Sequence, residues 1–145
     1  MNKLTKIVTL AVLALGSVLV QAEKVIPGPK GGRLLENEPP RAEFFVERDR
    51  TVTITFYDKD LKPVPVANQS VTLIAEPKSG KATIDCEKKG DALVSKSPLP
   101  AGDPYNVVVQ LKMAADAKPK NFRLALNLET CGECKRAEYA CICGH

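Results

Sequence analysis

The chain has 145 residues, with 21 Lys and Arg against 17 Asp and Glu, a formal net charge of +4 and a single histidine. That length suits one domain, and so small a charge argues against nucleic acid or an anionic membrane surface as partner. With no internal histidine to act as a base, and no nucleophile-elbow, phosphate-loop or helical metalloprotease motif, a non-enzymatic role is expected.

Residues 1–22 read as an export signal. Lys3 and Lys6 give a basic start, an uncharged apolar run extends from Ile7 to Val20, and Val20-Gln21-Ala22 closes it with the residues a signal peptidase favours. The run is short for a membrane span, which needs about 20 residues, so no span is expected after cleavage; the alternative is a retained N-terminal anchor. No cysteine follows the expected cut, which argues against a lipoprotein anchor there. Setting the signal aside leaves 19 basic residues against 17 acidic, a net +2. The expected location is the periplasm or the exterior, where cysteines pair unless something protects them.

Residues 23–40 hold Pro27, Pro29, Pro39 and Pro40 with Gly28, Gly31 and Gly32 among them, and read as an extended leader. Within it, Arg33-Leu34-Leu35 is a candidate edge strand. Ala42 to Val46 is a short β-prone run, and Glu43, Glu47 and Asp49 are spread as on a solvated strand edge. Thr51 to Tyr57 alternates Val52, Ile54 and Phe56 with Thr53, Thr55 and Tyr57. Asp58 and Asp60 read as a hairpin turn rather than a calcium or catalytic pair. Lys62-Pro63-Val64-Pro65-Val66 is too proline-rich for a central strand.

Further strands are expected at Ser70 to Ala75, Ala82 to Cys86 and Ala92 to Ser95, separated by turn-forming residues. After the turn-rich stretch from Pro98 to Pro104, Tyr105 to Met113 alternates, and Phe122, Leu124, Leu126 and Leu128 repeat the pattern. About seven strands with regular turn signals predict an all-β fold, an Ig-like antiparallel β-sandwich over residues 41–129.

Several of these stretches resemble a known family. Pro29-Lys30-Gly31-Gly32-Arg33-Leu34-Leu35-Glu36, Ala42-Glu43-Phe44-Phe45-Val46, Val52-Thr53-Ile54-Thr55-Phe56-Tyr57-Asp58, Lys62-Pro63-Val64-Pro65 and Leu99-Pro100-Ala101-Gly102-Asp103-Pro104-Tyr105 look like small periplasmic domains found beside heavy-metal efflux adaptor subunits. The likeness covers roughly residues 29–128. It implies a β-sandwich in a metal-resistance setting, with efflux-system components as partners. Such domains often carry a histidine before the glycine pair, where this chain has Lys30.

Residues 130–145 lie outside that resemblance and hold four of the five cysteines and the only histidine, in Cys131-Gly132-Glu133-Cys134 and Cys141-Ile142-Cys143-Gly144-His145. Two sulfurs three residues apart are aimed at one point by a single tight turn, and two sulfurs one residue apart share a side of an extended segment. The six residues between the pairs let the chain double back. Cys131, Cys134, Cys141 and Cys143, with His145 as a further candidate, can then surround one ion. Soft thiolates suit Cu(I) or zinc and poorly suit calcium or magnesium. Lys135 and Arg136 would offset part of the thiolate charge. Two alternatives remain open at this level: disulfides stapling the tail in a structural or interaction domain, and thiol–disulfide exchange. Cys86 is left over, as a small buried residue or a pairing partner.

Overall fold

The computed structural model describes residues 24–144. The described residues contain ten strands: β1 (Ile26–Pro27), β2 (Arg33–Leu34), β3 (Arg41–Val46), β4 (Val52–Tyr57), β5 (Pro63–Val64), β6 (Ser70–Glu76), β7 (Ala82–Lys89), β8 (Ala92–Ser95), β9 (Tyr105–Lys112) and β10 (Lys120–Leu126). All pairings are antiparallel, in the order β1-β2-β3-β4-β8-β7-β6-β9-β10, with β5 also paired to β4. Between β9 and β10 the chain makes a backbone turn, closed by Ala117 N–H on Ala114 C=O at 3.1 Å. No described helix is long and apolar enough to cross a membrane.

The sheet curls at β7. Residues 82–85 pair with β6, whereas residues 86–89 pair with β8. One wing therefore carries β1 to β5 with β8, and the other β6, β9 and β10. Phe44, Ile54, Phe56 and Leu93 from the first wing share one buried core with Leu73, Val109, Leu111 and Leu124 from the second. Burying each such side chain contributes roughly 1.5–3 kcal/mol, which is why strict alternation fixes the register. β9 shows this directly: Tyr105, Val107, Val109 and Leu111 are buried, and their neighbours are not.

The ten strands exceed the expected seven, and the additions are short. β1, β2 and β5 are two residues each; β2 falls within the candidate edge strand Arg33-Leu34-Leu35, whereas β1 and β5 are too brief to leave a periodic signature. β5 is the proline segment, held against the end of β4 through Phe56–Val64 and Tyr57–Pro63. The Asp58 turn forms as expected, its Oδ1 accepting the Asp60 and Lys62 N–H groups at 2.8 and 2.9 Å.

Two expectations for the N-terminal part are corrected. Glu43 does not lie on a solvated edge but is fully buried. Its carboxylate accepts the Lys30 N–H at 3.0 Å, the Gly32 N–H at 2.8 Å and the Tyr57 O–H at 2.7 Å. Nor is the leader simply extended. Residues 28–32 form a loop closed by Gly28 N–H on Gly32 C=O at 2.9 Å, and this loop cradles the carboxylate. A Cβ on Gly28 would overlap that carboxylate, and one on Gly32 the Phe44 carbonyl, so both positions require glycine for close approach. Charge-assisted bonds from backbone amides make this buried carboxylate tolerable. All six residues of β4 are buried: Val52, Ile54 and Phe56 in the core, and Tyr57 on the other face, where its hydroxyl binds the Glu43 carboxylate under the loop. Burial, and then the Glu43 charge, push the Tyr57 hydroxyl well above its ordinary pKa.

Candidate metal centre

The cysteine tail is anchored to the β body at both ends of its first turn. Leaving β10, the chain is held where Leu128 N–H donates to Asp103 Oδ2 at 3.1 Å, while Asp103 Oδ1 accepts from Arg50 at 3.0 Å. Thr130 and Ala137 then pair as an isolated antiparallel bridge. Between them the chain reverses, with Cys131 N–H on Arg136 C=O at 2.8 Å and Lys135 N–H on Cys131 C=O at 3.1 Å. Lys135 takes the left-handed conformation, φ 60°, that so tight a reversal demands.

A 3₁₀ turn, Glu138–Ala140, follows and docks on the body. Tyr139 is 5% exposed and Ala140 fully buried, and both belong to the main core cluster. The Tyr139 ring meets Phe44 edge-on, with centroids 5.6 Å apart and planes at 88°. Its hydroxyl accepts the Val46 N–H at 3.0 Å. Backbone bonds from Glu138 N–H to Glu129 C=O (2.9 Å) and Tyr139 N–H to Asn127 C=O (3.1 Å) complete the dock. The second cysteine pair is thereby brought back over the first.

The result is a cluster in which the Sγ atoms of Cys131, Cys134, Cys141 and Cys143 all lie within 4.8 Å of one another. Cys131 and Cys143 are 3.8 Å apart, Cys134 and Cys141 3.7 Å, and Cys131 and Cys141 3.2 Å. A tetrahedral ion with metal–sulfur distances of about 2.3 Å sets ligand–ligand edges of roughly 3.8 Å, so little rearrangement separates these sulfurs from a closed four-thiolate shell. No pair among the described cysteines is joined in a disulfide. Comparison with known protein families, curated proteins and solved structures gives no match. The chemistry of the cluster therefore stands on its own geometry.

Backbone N–H groups of Arg136 and Ile142 point at Cys134 Sγ and hold its thiol below the ordinary range. At Cys141 the Cys143 N–H, 3.4 Å away, favours the thiolate, yet the Cys131 sulfur, burial and the Cys134 sulfur outweigh it and push the pKa up. Burial, and then the neighbouring sulfurs, push Cys143 far above its ordinary value. The cause is general: adjacent thiolates repel, and a bound cation reverses that repulsion, making deprotonation of the whole set favourable. Lys135 Nζ donates to the Gly132 carbonyl at 2.5 Å.

Of the residues expected to act together, the four tail cysteines converge. His145, like the export signal at 1–22, lies outside the described residues. Cys86 is not in the cluster. It sits half-buried on β7 opposite Ser95, packs against the core, and has its thiol pushed up to about 12 by burial and by Asp85. It is a small packing residue with little thiolate character. Sequence reasoning passed over Tyr139, although an aromatic in an otherwise polar tail signals an anchor.

Proposed function

We propose that this chain is an exported β protein that holds one thiophilic ion, zinc or Cu(I), through Cys131, Cys134, Cys141 and Cys143. Its role is in heavy-metal homeostasis, as a carrier, buffer or accessory to efflux. The observation that carries the reading is the convergence of four sulfurs within 4.8 Å, held together by a tail that shares the core of the β body. Four soft ligands at this spacing match a closed tetrahedral shell and no hard cation. His145, which lies outside the described residues, is a further candidate ligand by its imidazole.

Export rests on the basic start and apolar run of residues 1–22, and the efflux setting on the likeness of residues 29–128 to periplasmic adaptor-associated domains. The finer architecture we assign is an Ig-like sandwich, supported by the curl at β7 and the single core between the two wings. The competing reading, a disulfide-stapled tail without metal, draws on the 3.2 Å approach of Cys131 to Cys141.

Reconstitution of the reduced chain with Co(II) tests the proposal. We expect one ion per chain, with the ligand-field and thiolate-to-metal bands of a tetrahedral sulfur site. Displacement by zinc and loss of the bands in Cys134→Ser would follow. Octahedral spectra, or bands insensitive to every tail serine variant, would refute it.

A further inference from the structure

The four sulfurs are not equivalent towards oxidation. Cys131 and Cys141 approach to 3.2 Å, whereas Cys134–Cys141 and Cys131–Cys143 stand at 3.7 and 3.8 Å. A disulfide bond is about 2.05 Å long, so Cys131–Cys141, the shortest of these three approaches, has roughly 1.2 Å to close. Joining Cys141 to Cys143 across one residue would close a strained small ring. Cys131 and Cys141 also differ in access, because Cys131 is fully buried and Cys141 only partly so. The Thr130–Ala137 bridge and the docked Tyr139 hold both segments at this spacing.

We infer that Cys131 and Cys141 form a built-in release switch: a disulfide oxidant joins these two first and thereby expels the bound ion. The inference rests on the metal reading above. The Cys141 thiolate attacks an incoming disulfide RS–SR, forming a mixed disulfide and releasing RS⁻. The buried Cys131 thiolate then attacks Cys141 Sγ, forming the Cys131–Cys141 bond and expelling the second RS⁻. Two thiolates are oxidised, one external disulfide is reduced to two thiolates, and two electrons pass between them. The ion keeps only Cys134 and Cys143 from the described set. A dithiol reductant reverses the sequence and restores four ligands. A low-molecular-weight or protein disulfide, the oxidant class of an oxidising compartment, would therefore convert oxidation state into ion release.

The full reduced chain, loaded with zinc, is titrated with oxidised glutathione while a chromogenic chelator reports released zinc. Alkylation and peptide mapping identify the first crosslink. One zinc should leave per disulfide formed, with Cys131–Cys141 the first crosslink, and dithiothreitol should restore uptake. In the metal-free reduced chain, Cys141→Ser should slow the first disulfide at least tenfold. Cys86→Ser, which leaves all four tail sulfurs in place, should stay within about threefold of the parent. A different first crosslink, or a Cys131–Cys141 bond formed with zinc retained, in a chain that binds zinc would overturn this inference alone. A reduced chain that takes up no zinc would sink the metal reading and the release step with it.

Discussion

Replacing Tyr139 separates docking of the tail from the chemistry of its cysteines. Tyr139→Phe removes the acceptor for the Val46 N–H at 3.0 Å and leaves the ring against Phe44. An unmet donor of this kind costs about 1–2 kcal/mol. Tyr139→Ala also empties the space of a side chain only 5% exposed, for a total of about 3–5 kcal/mol, within which the edge-on ring pair accounts for roughly 1 kcal/mol. The tail cysteines then lose their fixed approach, and an arriving ion must order the segment itself. If about 2 kcal/mol of docking is withdrawn from binding, zinc affinity falls roughly 30-fold, at about 1.4 kcal/mol per tenfold. Urea unfolding of the metal-free, reduced proteins measures the first quantity, and chelator competition measures the second. An alanine variant within about 0.5 kcal/mol of the parent, with unchanged zinc affinity, would refute the claim that this residue preorganises the site.

Glu43→Ala strands the Lys30 and Gly32 amides and the Tyr57 hydroxyl, so we expect a loss of about 3 kcal/mol and faster tryptic cleavage in residues 24–35. Glu43→Gln, which keeps one oxygen for the amides, should lose less than half as much in the same unfolding assay. Gly28→Ala drives a methyl group into that carboxylate and should cost about 1–3 kcal/mol. Burial works against the charge of Asp103, but the Leu128 N–H and Arg50 outweigh it and hold its pKa below the ordinary value. A depressed folded-state pKa contributes stability above the unfolded value, about 3.9, that is lost as pH falls through the folded one. Asp103→Asn should therefore be less stable at pH 7, by on the order of 1 kcal/mol, and show a flatter decline below about pH 4. Cys86→Ser should leave metal stoichiometry at the parent value; a lost ion would place Cys86 in the site.

What the sequence made legible follows from the range of the forces involved. The alternation in β9 and β10 and the Asp58 turn are local, so short-range patterns sufficed to place them. The cysteine convergence was legible because ligand spacing is itself a geometric statement. Glu43 was misread because its partners come from Lys30, Gly32 and Tyr57, eleven to fourteen residues distant along the chain. A lone carboxylate inside Ala42-Glu43-Phe44-Phe45 was the available signal, since an acid flanked by buried apolar residues needs donors. Tyr139 reaches 93 residues back to Val46, and no periodicity reports such a contact. β2 lies within the expected edge strand Arg33-Leu34-Leu35, whereas β1 carries no local signal and pairs only with β2.

The most direct test of the central claim is metal content measured together with free-thiol count on the protein recovered from cells without reductant or chelator. The account predicts about one zinc or copper per chain with the tail cysteines reduced, and loss of the ion in Cys131→Ser or Cys143→Ser. No metal, with the tail cysteines oxidised and no uptake after reduction, would contradict it and leave a disulfide-stapled β protein.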